Sequence, residues 1–193
     1  TATVTVIDNI APTVVTQNIT VYLDANGNAS ILGTDVNNGS TDNCAIASYS
    51  LAPNTFTCAD SNANTVTLSV TDVSGNVNTA TATVTVLDTI APTVITQNIT
   101  VNLDADGTAS IVAADVNNGS TDNCAIASYS VSPNTFTCAD SNANTVTLTV
   151  TDVSGNVNTA TATVTVEDNI APTVLTQNIT VYLTGFGTVS IVP

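Results

Sequence analysis

The sequence predicts an all-β chain of tandem immunoglobulin-like β-sandwich units, each 80 residues long and strung like beads. Three observations predict it. Residues 8–87 align without a gap on residues 88–167, and only twelve of the eighty positions differ. Apolar residues alternate strictly with threonine and serine along the longest regular runs, which is the pattern of strands with one buried face. Turn-forming residues recur every ~8–12 residues, the spacing of a small sandwich. A repeat of fixed period sets the architecture, and no shorter period of the kind that builds a continuous β-solenoid lies inside it. Residues 1–7 read as the last strand of a preceding unit, 8–87 and 88–167 as two full units, and 168–193 as the head of a third.

Within the first unit seven strands are expected in order. Pro12 opens PTVVTQ and holds the preceding alanine in extended geometry; Pro92 and Pro172 repeat it, stiffening the joints between units. ITVYLD follows, and Asn26-Gly27 (Asp106-Gly107 in the second unit) is a strong hairpin signal joining it to ASIL. IASYSL and NTFTC flank Pro53, which breaks the run between them. TVTLSVTD places Val66, Leu68 and Val70 on one face, Ser74-Gly75-Asn76 turns the chain, and NTATATVTV returns with Ala80, Ala82, Val84 and Val86 inward. Phe56 and Tyr49 are the expected large fillers of an otherwise aliphatic interior.

Composition limits the partners. Fifteen acidic residues stand against no lysine, arginine or histidine, a formal charge of −15. No salt bridge between side chains can form, phosphate neutralisation is unavailable, and nucleic acid is excluded; so is electrostatic docking on anionic lipid. No run approaches the ~20 apolar residues of a membrane span, so no membrane insertion is expected in this segment. Catalysis is not expected either. A serine, threonine or cysteine nucleophile would lack its usual base, and zinc would have two cysteines per unit and no histidine.

An 80-residue unit has a thin core, and a staple would help it. Cys44 and Cys58, fourteen positions apart, and their counterparts Cys124 and Cys138 fit a disulfide framework in an oxidising compartment. The expected pairing is within each unit, Cys44 with Cys58 and Cys124 with Cys138, with buried free thiols as the alternative.

The order of motifs resembles the hyalin-repeat (HYR) domain of giant surface proteins of Bacteroidetes, including flavobacterial gliding-motility adhesins. The residues that carry it are the D-x-I-A-P-T linker (Asp8–Thr13, Asp88–Thr93, Asp168–Thr173), N-I-T-V, T-D-N-C (Thr41–Cys44, Thr121–Cys124) and V-T-D-V-S-G-N followed by T-A-T-V-T-V. The resemblance implies an extracellular, cell-surface, immunoglobulin-like spacer repeated in an adhesin, exported by type IX secretion. Many hyalin repeats carry a cysteine near the start of the unit, where this chain has Thr16-Gln17.

In an immunoglobulin topology the linker and two loops meet at one pole. Asp88 is therefore expected near Asp115, Asp122 and Asp152, and Asp8 near Asp35, Asp42 and Asp72. With backbone carbonyls and Asn123 or Asn156 nearby, such an oxygen-rich group suits Ca²⁺, which takes 6 to 8 oxygen ligands; the plainer alternative is that these aspartates cap turns. The expectation is a structural stalk in a large secreted adhesin or filament, its partners being neighbouring repeats of the same chain. The alternative is that the units themselves adhere, to surface polysaccharide or to other copies of the filament.

Overall fold

A computed structural model describes residues 1–191 and shows a nearly all-β chain with two similar sandwich units, each closed around its own core. The first unit contains β1 (Ile19–Tyr22), β2 (Asn28–Ser30), a helical turn α1 (Gly33–Val36), β3 (Ile46–Ala52), β4 (Thr55–Thr57), β5 (Asn62–Asp72) and β6 (Val77–Leu87). The second repeats it as β7 (Ile99–Asn102), β8 (Thr108–Ser110), α2 (Ala113–Val116), β9 (Ile126–Ser132), β10 (Thr135–Thr137), β11 (Asn142–Asp152) and β12 (Val157–Glu167). One sheet has the order β1-β6-β5-β3, the facing one pairs β2 with β4, and the second unit copies both.

The alternating runs make the long strands expected of them. Val66, Leu68, Val70, Val84 and Val86 are fully buried, with Phe56 between the sheets. Tyr49 packs at the edge of this core, but its counterpart Tyr129 is exposed. β5 and β6 form a hairpin whose turn is closed by the Asp72 N–H donating to Asn76 O.

Three expectations are corrected. Each unit has six strands, not seven: PTVVTQ makes only single bridges, Thr13 with Thr41 and Thr16 with Asn37, before the chain crosses to run as β1 parallel to β6. Gln17 and Asn18 are spent on that crossing, Gln17 donating to Val36 O and Asn18 accepting from the Thr83 N–H. Asn26-Gly27 does form a tight turn, but the segments on either side enter different sheets, so it is a corner and not a hairpin. The residues after ASIL also wind into one helical turn, closed by Asp35 accepting from the Leu32 N–H at 2.7 Å.

The path from β3 to β4 positions the joint. β3 runs antiparallel to β5 from Ile46, opposite Asp72, to Ala52, opposite Thr67, midway along β5. At Pro53 the chain changes sheet, and β4 continues toward the end of the unit where β5 begins. Cys44 therefore lies at the pole of linker residue Asp8, and Cys58 at the opposite pole. Residues 1–8 and 168–191 form no strand and are exposed over most of their length.

Candidate functional site at the joint between units

Among the described residues there is one disulfide, and it crosses the joint. Cys58 of the first unit is bonded to Cys124 of the second, with Sγ–Sγ 2.03 Å and Cα–Cα 5.5 Å, while Cys44 and Cys138 are free and exposed. The expected pairings Cys44–Cys58 and Cys124–Cys138 are thereby overturned. The reason is the course of the chain: fourteen residues that do not fold back, but change sheet at Pro53 and run on, carry the two cysteines of a unit to opposite poles. A disulfide needs its Cα atoms within ~4.4–6.8 Å.

The corner before β2 is built for this contact. Gly27 has φ +73°, and a Cβ there would meet Cys58 Sγ at 2.6 Å and the backbone oxygen of Asn123 at 2.8 Å. Glycine is required by backbone and neighbours alike. From the other side Asn123 Nδ2 donates to Asp24 O at 3.3 Å, and Cys58 Sγ lies 3.7 Å from Asn123 O. Sulfur, glycine and amide thus clasp the T-D-N-C loop of the second unit to the tail of the first.

Beside the clasp the structure brings together Asp88, Asp122 and Asp152, one carboxylate oxygen of each lying within 4.8 Å of the others. Asp88 and Asp152 are buried. The linker supplies Asp88, the T-D-N-C loop Asp122, and the end of β11 Asp152. Asp88 Oδ1 accepts from the Ile90 N–H at 3.1 Å and from Asn123 Nδ2 at 3.2 Å, and its Oδ2 accepts from Ser154 Oγ at 3.2 Å. Asp152 accepts from the Ser154 and Asn156 N–H groups and from Asn156 Nδ2, which also donates to Asp88 O. Asp122 Oδ2 caps the Cys124 N–H at 2.9 Å. Asp122 Oδ1 and Asn123 Oδ1 are buried with no partner.

Asp115 is not at this site; its carboxylate accepts from the Val112 N–H and closes α2. Asp35 does the same for α1. At the head of the first unit Asp8, Asp42 and Cys44 cluster, and Asn76 links Asp8 to Asp72 by donating to Asp8 O at 3.2 Å and to Asp72 Oδ2 at 2.7 Å. Asp8 Oδ2 and Asp42 Oδ1 are buried without partners. Hydrogen bonds from the Ile10 N–H and Asn43 hold the Asp8 carboxyl below the usual range, and the Asp8 carboxylate, as hydrogen-bond partner and neighbouring charge, pushes the Cys44 thiol up. Asn123 and Asn156, expected beside the carboxylates, do bond to them, Asn123 to Asp88 and Asn156 to Asp152. Ser154, Gly27 and the Asp24 carbonyl also belong to the joint, and of these three only Gly27 carries a signal in the sequence, the N-G turn.

Each of the three carboxylates caps a turn of its own segment, as the plainer expectation had it, and together they also form a group that could hold a metal ion. One oxygen of each carboxylate lies within 4.8 Å of the others, and no positively charged side chain exists to sit among them. The all-oxygen donor set and the two orphaned buried oxygens fit a hard divalent cation, Ca²⁺ above all.

The fold and joint together define a class: tandem all-β sandwich units of immunoglobulin type, cross-linked unit to unit. No protein-family model matches the chain, and no curated protein does, so the likeness to hyalin repeats stands on the motifs alone. Among solved structures, it is similar to human protocadherin-24 EC1-2 (TM-score 0.42, 13% identity, 83% of this chain and 100% of that one) and to Drosophila N-cadherin EC1-4 (TM-score 0.41, 16% identity, 82% and 50%). Protocadherin gamma B7 extracellular cadherin domains 1-4 give a TM-score of 0.38 at 12% identity over 83% of this chain, which spans about half (52%) of that one.

Proposed function

We propose that the chain is a load-bearing spacer of an extracellular adhesin or filament, non-enzymatic, whose joints are fixed by a disulfide and a calcium ion. The observation that carries this reading is the joint: a covalent bond and three carboxylates from three separate segments converge where one unit meets the next. Two units meant to move freely would gain nothing from either. The disulfide supports an oxidising, extracellular setting.

Asp88, Asp122 and Asp152 would hold the cation, with Asp122 Oδ1 and Asn123 Oδ1 as the oxygens now lacking partners. Asp8, Asp42 and Asp72 would form the corresponding group at the head of the first unit. The cation would neutralise the crowded carboxylates and tie linker, T-D-N-C loop and β11 together.

Thermal unfolding of the oxidised protein with and without Ca²⁺ tests the proposal. Calcium should raise the melting temperature, by an amount set by mass action between folded and unfolded states. Asp88→Asn with Asp152→Asn should abolish the rise at the joint, as followed by calorimetric titration. A melting temperature indifferent to Ca²⁺, together with a protein that self-associates or binds polysaccharide, would replace the spacer by an adhesive unit.

A further inference from the structure

We infer that the cross-joint disulfide diverts tension away from most of the chain, so that pulling force crosses each unit through only the short segment between its two cysteines. This deepens the spacer reading and rests on it for its use, but the path itself follows from connectivity. Cys58 is bonded to Cys124, 66 residues further along. Residues 59–123 therefore form a covalently closed loop, spanned by a single bond. Force entering at Cys44 runs along β3 and β4 to Cys58, crosses the sulfur bridge, and continues from Cys124 along β9 and β10 to Cys138. The looped residues include β5, β6, the D-x-I-A-P-T linker and Asp88. They carry no tension.

Two further observations make this a device and not an accident of one bond. Cys44 and Cys138 occupy, in their own units, the places that Cys124 and Cys58 hold at the joint, and both surroundings are preformed. Cys138 Sγ lies 3.8 Å from Gly107 O as Cys58 Sγ lies 3.7 Å from Gly27 O. Asn43 donates to Asp8 at 3.2 Å as Asn123 donates to Asp88 at 3.2 Å. Each unit therefore presents an entry cysteine at one pole and an exit cysteine at the other.

The segment between them also has little slack. β3 supplies seven residues and β4 three, all already extended, on a course that runs pole to pole. A tether through the peptide chain could lengthen by unravelling a whole unit. One through this segment can lengthen by no more than its own fourteen residues allow.

The two free thiols make the test direct, because they are where the load would enter and leave. Thioether handles are attached to Cys44 and Cys138 of the oxidised protein, and single molecules are ramped until the tether stops lengthening. The spanned chain should then measure ~100 Å, from two fourteen-residue segments at ~3.3–3.6 Å per residue. Adding a reductant to the same molecule should release the closed loop and lengthen it by ~230 Å, for 66 residues. A molecule that reaches ~330 Å before reduction overturns the inference. The length is read whether or not the chain binds calcium or adheres to anything, so it fails or stands separately from the spacer reading.

Discussion

At the scale of single residues, the joint depends on groups whose roles can be separated by comparing the two units. Gly27 and Gly107 have nearly the same φ, +73° and +76°, but Gly27 faces both Cys58 Sγ and the Asn123 backbone, whereas Gly107 faces only the free Cys138 Sγ at 2.9 Å. Alanine at either position meets the left-handed backbone penalty of ~1–2 kcal/mol. Only at Gly27 must it also displace the neighbouring unit's backbone, so Gly27→Ala should lower the melting temperature more than Gly107→Ala, and the excess should vanish on reduction. Acid acts on another set. Asp24 and Asp104 accept backbone N–H bonds from the corner residues Asn28 and Asn26, or Thr108 and Asp106, and these bonds hold both carboxyls below their ordinary range. At Asp72 burial pulls upward, but the bonds from Asn76 and Ser74 outweigh it and the net direction is down. A carboxyl favoured ionised in the folded chain contributes its stability in full above the ordinary aspartate value of ~3.9 and loses it as pH falls through the lower folded value. Denaturant midpoints should therefore fall below about pH 4, and Asp24→Asn with Asp104→Asn should flatten that fall.

At the scale of elements, what could be read from the sequence was whatever depends on side-chain period. TVTLSVTD and NTATATVTV declare their buried faces residue by residue, and Leu68 and Leu148 sit at the centre of those faces, fully buried. Leu68→Ala should cost ~2–5 kcal/mol, the range for a buried leucine that leaves a cavity, measured as a shift in urea midpoint without a change in slope. What could not be read was which sheet a short strand joins. PTVVTQ has the composition of a strand, but it lies where the chain crosses between sheets and finds only two bridging partners. NTFTC was legible as a strand, yet nothing local says that Pro53 marks a change of sheet and not a reversal, and on that choice hangs the partner of Cys58. Spacing alone favoured the near cysteine; the direction of β4 decided for the far one. For the carboxylates, Asp88, Asp122 and Asp152 could be gathered by loop order, because linker and loops share a pole. Asp115 was misplaced because the residues before it form a helical turn that uses its carboxylate as a cap.

At the scale of the whole molecule, the disulfide and the acidic group are neighbours in sequence as well as in space, and this couples them. Cys124 follows directly after Asp122 and Asn123, and its N–H is capped by Asp122. The bond to Cys58 therefore anchors the loop that carries Asp122 and the orphaned oxygens of Asp122 and Asn123 in the proposed cation site. The other two carboxylates do not need that anchor: Asp88 is set by the linker and Asp152 by the β11–β12 turn, both within the second unit. Cutting the bridge should consequently leave both sandwiches folded, since no disulfide lies within a unit and Cys58 and Cys124 only pack against the outside of the first core, while freeing the T-D-N-C loop to fluctuate. Losing a group that orients metal ligands typically costs ~10–100-fold in affinity, and because the loop keeps its own Asp122 cap the lower end, ~10-fold, is expected. The measurement is a calcium titration of one preparation before and after reduction, with circular dichroism recorded alongside. An unchanged spectrum with weakened binding would show that the bridge tunes the joint and not the units. Binding of equal strength in both states would mean that the loop is held by its hydrogen bonds alone.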